Sequence, residues 1–255
     1  MAKQLVAPTR RERRAAERAD RPRGPRHAPA VRRRFSLEKL TAIALVGGIG
    51  VVALAIAFGA RPSTPSAHTE VAVAFAPAGV ATDGFVIGSP DAAVTIELYE
   101  DFQCPACELW GQTVFPTLAA NELADGTVRV VFHDVAFLGQ ESTDAGMAAY
   151  AAGQQGRFWD MWATLYANQG HENSGAFSRE RLVAMADHLG LDVARFEVDM
   201  DSSEATAALA ASKAAAGRVG VTSTPTLIVD GQVLLGVRPY PELAAAIAAA
   251  ASAAP

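Results

Sequence analysis

Apolar residues recur along this chain with two periodicities, one typical of strands and one typical of helices. A two-residue alternation marks the strands, whereas from about residue 140 to residue 218 the spacing is helical and no strand is indicated. The predicted strands are Phe85–Ile87, Ala93–Tyr99, Thr127–Phe132, Thr226–Val229 and Gln232–Leu235. The predicted helices are the run after Cys104, with a kink at Pro116, and Ser142–Ala152, Arg157–Ala167, Arg179–Leu189, Ser203–Ala216 and Pro241–Ala251.

The order of these elements predicts the fold class. Strand, helix and strand come first, and the two strands of such a βαβ unit are parallel. A helical block follows, and the chain closes with a hairpin at Asp230-Gly231 and one Ala-rich helix. We therefore predict an α/β domain over residues 83–255, with an α-helical subdomain inserted at about 140–218. The core of that subdomain is expected to contain Phe158, Trp159, Trp162 and Tyr166, which have helical spacing.

An uncharged apolar run precedes this domain. Residues 40–60 contain no charged side chain, and at about 1.5 Å per residue they are long enough to span the hydrocarbon layer of a bilayer. We predict a single transmembrane helix there, followed by a flexible Pro/Ser/Ala-rich tether at 61–82. A cleaved signal peptide is one alternative, although the apolar run is long for it and a clean cleavage site is missing. A twin-arginine export signal at Arg32–Arg34 is another.

Charge is distributed unevenly along the chain. Residues 1–39 carry 13 Lys and Arg against 4 Asp and Glu, and they predict a disordered basic tail. Because basic residues flank membrane helices on the cytoplasmic side, we expect the tail in the cytoplasm and the domain outside it. Residues 62–255 carry 8 basic and 23 acidic residues, which argues against binding of nucleic acid. The lipid bilayer, contacted through residues 40–60, is thus a predicted partner and nucleic acid is not.

The chain has 2 cysteines, Cys104 and Cys107, in a Cys-Pro-Ala-Cys motif. At the start of a helix that follows a strand, free backbone N–H groups and the helix dipole stabilise a thiolate. We expect Cys104 to be exposed and Cys107 to be shielded, with Pro105 at the first helical position. Such an asymmetric pair suits thiol–disulfide exchange. A zinc site would need further ligands that the five histidines are not spaced to supply, so no metal or bound cofactor is predicted.

Two distant segments resemble the DsbA-type branch of the thioredoxin superfamily. They are YEDFQCPAC around the cysteines and GVTSTPTLIVDG ahead of the predicted hairpin, and the resemblance covers about residues 83–250. It implies a thioredoxin-like fold with an inserted helical subdomain, most similar to membrane-anchored actinobacterial members. It also implies that Cys104 is the nucleophile, that Cys107 is the resolving cysteine, and that Pro225 is a cis-proline facing them. Thr224 would then offer its backbone to an extended substrate segment.

The chain departs from the family pattern beside the cysteines. The best-known and more oxidising member has His in the dipeptide where this chain has Ala106 after Pro105, so this pair is expected to be less oxidising. Many relatives carry a buried acid six residues before the first cysteine, where this chain has Leu98. Glu100 and Asp101 lie nearer to the motif. They either relay protons for the second cysteine or are solvated loop charges, since an unpaired buried acid is costly.

These features together predict an extracytoplasmic thiol:disulfide oxidoreductase that introduces disulfides into exported cysteine-containing proteins. Its dithiol would be reoxidised by a membrane protein of the DsbB or vitamin K epoxide reductase type. A reductase or disulfide isomerase using the same site stays an alternative, because the sequence does not fix the direction of electron flow. A tethered binding module whose Cys104–Cys107 disulfide is only structural is a further alternative.

Overall fold

The computed structural model describes residues 70–253, and every structural statement below refers to this part of the chain. The predicted basic tail at 1–39, the predicted transmembrane helix at 40–60 and the first part of the predicted tether lie outside the described residues. Within residues 70–253, none of the helices combines the length and the apolar character that crossing a membrane requires.

A mixed sheet of six strands forms the centre of the domain. The strands are β1 (Thr82–Asp83), β2 (Val86–Gly88), β3 (Val94–Glu100), β4 (Val128–Asp134), β5 (Thr226–Val229) and β6 (Gln232–Leu235). They lie in the order β1-β2-β4-β3-β5-β6, and only β3 and β4 are parallel neighbours. Along β4, buried and half-buried side chains alternate, because successive residues of a strand point to opposite faces of the sheet. The buried apolar residues of β4, namely Val128, Val130 and Phe132, belong to the main apolar core of the domain.

Helices surround this sheet. In chain order they are α1 (Pro105–Thr113), α2 (Phe115–Leu118), α3 (Gln140–Gly153), α4 (Phe158–Ala167), α5 (Arg179–His188), α6 (Val193–Met200), α7 (Ser203–Val219) and α8 (Tyr240–Ala253). The single helix predicted after Cys104 is divided between α1 and α2, and a π-helical turn at Ala119–Leu123 completes the run. Pro116 explains the division, because it has no N–H to donate to the preceding turn. The predicted kink is confirmed.

The helical insertion between β4 and β5 comprises α3 to α7. The sequence predicts four of these helices and misses α6, although its N-cap Asp192 accepts the backbone N–H of Arg195, a signal that the sequence carries. Helix α7 continues past its predicted end at Ala216 and ends at Val219, because Gly220 adopts a left-handed φ of +74°. The α/β class and the inserted helices are otherwise as predicted.

Residues 71–76, which we call the arm, run beside α4. Val71 and Val73 pack against the main apolar core. Backbone N–H groups of alternate arm residues donate to side chains spaced along α4, namely Ala72 to Asn168 at 2.9 Å, Ala74 to Thr164 at 3.2 Å and Ala76 to Asp160 at 2.7 Å. The predicted flexible tether at 61–82 is therefore wrong for this part of it, because these contacts hold the backbone in place.

Candidate active site

The loop between β3 and α1 presents the Cys-Pro-Ala-Cys motif at the start of a helix. Cys104 is the N-cap of α1, with φ −76° and ψ 116°, and Pro105 begins the helix. The Cys104 carbonyl accepts the N–H groups of Cys107 at 3.0 Å and Glu108 at 3.2 Å, which closes the first turn. Both cysteines are free thiols in the structure. The local backbone thus places the two sulfurs on neighbouring positions of one helical turn.

The two sulfurs differ in environment, although neither is open to solvent. Cys104 retains 9% of its accessible surface and Cys107 retains none. Cys104 is thus the more accessible of the two, but the expectation that it is exposed is wrong. The pKa of Cys104 is lowered to about 6, first by a hydrogen bond from the Cys107 thiol and then, against burial, by a hydrogen bond with Thr224 and by the backbone N–H groups of Cys107 and Ala106. Burial raises the pKa of Cys107 well above its usual value, and its hydrogen bond to Cys104 and the charge of Glu100 raise it further. Cys104 is therefore the sulfur that ionises first.

The loop ahead of β5 faces Cys104. The Thr224–Pro225 peptide bond is cis, as the resemblance implies. The Cys104 thiol donates to the Thr224 carbonyl oxygen over 3.4 Å, although the two residues are 120 positions apart in the sequence. The Pro225 carbonyl accepts the N–H of Gly236 at 2.8 Å, which connects this loop to the end of β6. The structure thus brings the cysteine motif and the Thr-Pro motif together.

Glu100 is fully buried at the end of β3. One carboxyl oxygen accepts hydrogen bonds from Trp162 Nε1 at 2.9 Å and from the Tyr166 hydroxyl at 3.1 Å, and the other has no partner among the described residues. Burial raises the pKa of Glu100 to about 8, while these two hydrogen bonds oppose the rise. The charge of Glu100 in turn raises the pKa of Cys107, so the two groups are electrostatically coupled. Glu100 is not a solvated loop charge.

Three residues of this site are not predicted as site residues by the sequence, namely Trp162, Tyr166 and Gln169. Trp162 and Tyr166 are buried as predicted, but their polar atoms also hold the carboxyl group of Glu100. Two buried side chains with one polar atom each, four residues apart on a helix, are the signal that a polar partner is near. Gln169 donates from its side-chain amide to the carbonyls of Phe102 at 2.7 Å and Cys104 at 3.2 Å. A lone Gln after a helix carries no such signal.

Asp101 is also fully buried, and its contacts hold the loop before Cys104. One carboxyl oxygen accepts the backbone N–H of Gln103 at 2.8 Å and the Ser142 hydroxyl at 2.6 Å. The other accepts the backbone N–H groups of Phe137 at 2.8 Å and Leu138 at 3.0 Å. Four donors compensate the burial of one carboxyl group, and this geometry favours a structural role.

Asn173 completes the network around the loop. Its backbone N–H donates to the Gln103 side-chain oxygen at 2.6 Å, and its side-chain amide donates to the Leu138 carbonyl at 2.8 Å. Gly139 has a φ of +134°, and a Cβ placed on it would overlap the amide of Asn173. The loops before α3 and after α4 therefore hold each other in place beside the active-site loop.

The dipeptide between the cysteines carries no charge. Pro105 is exposed, and Ala106 is half-buried and supplies a backbone N–H to Cys104. Within residues 70–253, no group of three or more His, Cys, Asp or Glu side chains is placed to hold a metal ion. Thiol chemistry is thus the chemistry that these residues support.

Comparison with known proteins agrees with this geometry. Residues 81–249, more than half of the chain, match the family model described as Thioredoxin. The chain belongs to the thioredoxin family. Among its relatives, the "Probable disulfide bond formation protein D" of Bacillus anthracis is 29% identical over 152 residues, which cover 58% of this chain and 70% of that protein.

Two solved structures are similar to this thioredoxin-family chain. A thioredoxin-like oxidoreductase from Silicibacter pomeroyi DSS-3 is 31% identical, with 66% of this chain and 92% of that chain covered and a TM-score of 0.57. BdbD from Bacillus subtilis, in its oxidised form, shares the fold at 22% identity, with 72% and 100% covered and a TM-score of 0.62. The predicted thioredoxin-like α/β fold is confirmed, and the protein is a thiol:disulfide oxidoreductase of the DsbA type.

Proposed function

We propose that this protein introduces disulfides into exported proteins through Cys104 and Cys107. The supporting observation is their asymmetry, because a Cys104 with a pKa of about 6 stands beside a fully buried Cys107 with a raised pKa. A substrate thiolate attacks Cys104 of the enzyme disulfide, forms a mixed disulfide and releases Cys107. A second substrate thiolate then displaces Cys104. The substrate leaves with one disulfide, and the enzyme retains two electrons and two protons as a dithiol.

Glu100 supplies a proton in this scheme. Cys107 leaves as a thiolate in an apolar environment, where an unprotonated sulfur is costly. Glu100 is buried, is protonated at neutral pH because its pKa is about 8, and is coupled to Cys107. We expect its proton to move to Cys107 as that sulfur leaves, and to return when the disulfide is formed again. Asp101 has no part in this step, since four donors already engage its oxygens.

The substrate binds beside Thr224 and Pro225 in this proposal. The hydroxyl oxygen of Thr224 is buried, so we expect this residue to offer its backbone to a partner. An extended peptide can pair with such a backbone as an added strand. Pro225 has no N–H, so it places no competing donor beside Cys104.

The lowered pKa of Cys104 supports a pair that is more oxidising than that of thioredoxin, and a reductase or an isomerase using the same site stays an alternative. A stabilised thiolate stabilises the dithiol form, which makes the disulfide a stronger oxidant. Thioredoxin combines a pKa of about 7 with about −270 mV, and DsbA combines about 3.5 with about −120 mV. A pKa of about 6 lies between the values of these two proteins. We expect a moderate oxidant, in keeping with Ala106 at the position where DsbA has His. A binding module with a structural disulfide is not supported, because the protein is an oxidoreductase.

The location and the partners follow from the N-terminal sequence. We propose a cytoplasmic basic tail at 1–39, a transmembrane helix at 40–60 and a catalytic domain outside the cytoplasm, supported by the apolar run and the charge asymmetry. The substrates are then exported cysteine-containing proteins, in line with the name of the Bacillus relative. A membrane protein of the DsbB or vitamin K epoxide reductase type accepts the electrons. No bound cofactor is needed.

Trapping of mixed disulfides tests the roles of the two cysteines. In cells that produce the Cys107→Ser variant, Cys104 should remain joined to exported proteins, because the resolving sulfur is gone. The Cys104→Ser variant should trap none. Adducts are separated on non-reducing gels and identified after reduction. Equal trapping by both variants, or by neither, would overturn the assignment.

A further inference from the structure

The side chains of Thr164 on α4 and of Asn168, which directly follows α4, pair with the arm backbone as a neighbouring strand would. The amide of Asn168 accepts the N–H of Ala72 at 2.9 Å and donates to its carbonyl at 2.7 Å. The hydroxyl of Thr164 accepts the N–H of Ala74 at 3.2 Å and donates to its carbonyl at 2.9 Å. Residues four apart on a helix rise by about 6 Å, and alternate residues of an extended chain by about 6.6 Å, so the two repeats match.

The same end of α4 contacts the active site. Asn168 directly follows the helix, and Gln169, the next residue, donates to the carbonyls of Phe102 at 2.7 Å and Cys104 at 3.2 Å. The Cys104 carbonyl also accepts the backbone N–H groups of Cys107 and Glu108, which form the first turn of α1. One peptide bond therefore separates the residue that holds the arm from the residue that holds the cysteine backbone.

A second connection runs through the body of α4. Thr164 is fully buried and holds the arm, and it lies between Trp162 and Tyr166 in the sequence. Those two residues hold the carboxyl group of Glu100 from the other side of the helix. Helix α4 and the two residues that follow it thus contact the arm, the carboxyl group of Glu100 and the backbone of Cys104.

We propose that the arm is a positioning element of the active site, acting through Asn168 and Gln169 on the backbone of Cys104. The inference rests on the proposed function, because this position matters for exchange only if Cys104 reacts. The arm contacts no reacting atom. It fixes where α1 begins, and with it the backbone N–H groups that face the Cys104 sulfur. Detaching the arm should therefore slow the reaction of Cys104 without abolishing it.

The variant Ala72→Pro removes the N–H that Asn168 accepts, and Ala72 is exposed, so core packing is retained. Ala78→Pro is the matched control, since Ala78 is exposed in the turn after the arm and its N–H makes no hydrogen bond among the described residues. Both are made in the full chain, reduced, and reacted with iodoacetamide at pH 5. We expect Ala72→Pro to react about threefold more slowly, the effect of a pKa rise of about 0.5 at Cys104, and Ala78→Pro to match the wild type.

A double variant separates positioning from general stability. If the arm acts through Gln169, then Gln169→Leu alone should slow alkylation, and Ala72→Pro added to it should slow the reaction no further. Independent, multiplying effects would overturn the inference. A lower melting temperature of Ala72→Pro with unchanged alkylation would also overturn it, since the arm would then only stabilise the fold.

Turnover distinguishes this inference from the proposed function. If the wild-type chain oxidises a reduced peptide and Ala72→Pro is alkylated as fast as the wild type, the positioning role alone is overturned. If the wild-type chain oxidises no peptide and Ala72→Pro is alkylated slowly, the proposed function is overturned and the positioning role is supported.

Discussion

Replacement of Glu100 by Gln tests the buried acid directly. Gln has the shape of a protonated carboxyl group and keeps an oxygen that can accept the hydrogen bonds of Trp162 and Tyr166. It differs because it cannot ionise. The variant therefore fixes the neutral state of a group whose pKa is raised from 4.5 to about 8, mainly by burial.

The size of the effect follows from the linkage between proton binding and folding. Between pH 4.5 and about 8, native Glu100 holds a proton that the unfolded chain has lost, so the free energy of unfolding falls as the pH rises. The fall is about 1.4 kcal/mol for each pH unit, or about 5 kcal/mol across the window. The contribution of this group is fully present below pH 4.5 and is lost by about pH 8. A loss of this size is large against a typical total stability of about 5–15 kcal/mol.

Tryptophan emission measures this change in the full chain. All 3 tryptophans are buried in the described domain, so their emission reports the unfolding of that domain alone. Urea unfolding is followed from pH 5 to pH 9 with the Cys104–Cys107 disulfide formed, so that the thiols do not titrate. The free energy of unfolding of Glu100→Gln should exceed that of the wild type by an amount that grows with pH, gaining about 4 kcal/mol from pH 5 to pH 8.

The control for this experiment is Glu180→Gln, which changes an exposed carboxyl group on α5. Its free energy of unfolding should run parallel to that of the wild type at every pH. An advantage of Glu100→Gln that stays constant from pH 5 to pH 9 would refute the reasoning, because native Glu100 would then be ionised throughout.

Alkylation of reduced Cys104 should increase with pH around a midpoint near 6, while Cys107 should stay unreactive; a single midpoint near 9 would contradict the stabilised thiolate. Ala106→His should place a cation beside the sulfur and raise the reduction potential, measured against glutathione, by about 30 mV for each unit by which the pKa of Cys104 falls. An unchanged potential would count against this cause. On intact cells, in a chain that also carries Cys104→Ser and Cys107→Ser, Ser66→Cys should react with a membrane-impermeant thiol reagent and Thr9→Cys should not. The opposite labelling would reverse the proposed topology.

The elements with local signals could be predicted from the sequence. The strands at Thr226–Val229 and Gln232–Leu235 have the predicted bounds, because the turn at Asp230-Gly231 fixes the register of a hairpin. The Cys-Pro-Ala-Cys motif was likewise visible, since it marks the first turn of a helix by itself.

The contacts that complete the site depend on pairs far apart in the chain. Glu100 is held by side chains 62 and 66 positions later in the chain. Nothing in the sequence near Glu100 indicates that these side chains are its partners. The sequence does not distinguish the arm from a tether, for a different reason. The contacts with α4 are made by the backbone of the arm, whose N–H and C=O groups are the same in every residue except proline. No side-chain pattern in the sequence therefore indicates these contacts.

The contact between Gly139 and Asn173 limits how this sequence can evolve. A side chain at position 139 would overlap the Asn173 amide, and a φ of +134° is strained for any residue other than glycine. Asn173 itself has a φ of +51°, which Asn tolerates better than most residues. In homologous sequences the two positions should covary, so that a lineage that gains a side chain at 139 also loses Asn at 173. Such a lineage would also lose the hydrogen bonds that the Asn173 side chain accepts from the Gln103 amide and donates to the Leu138 carbonyl, and would have to rebuild the loop before its first cysteine.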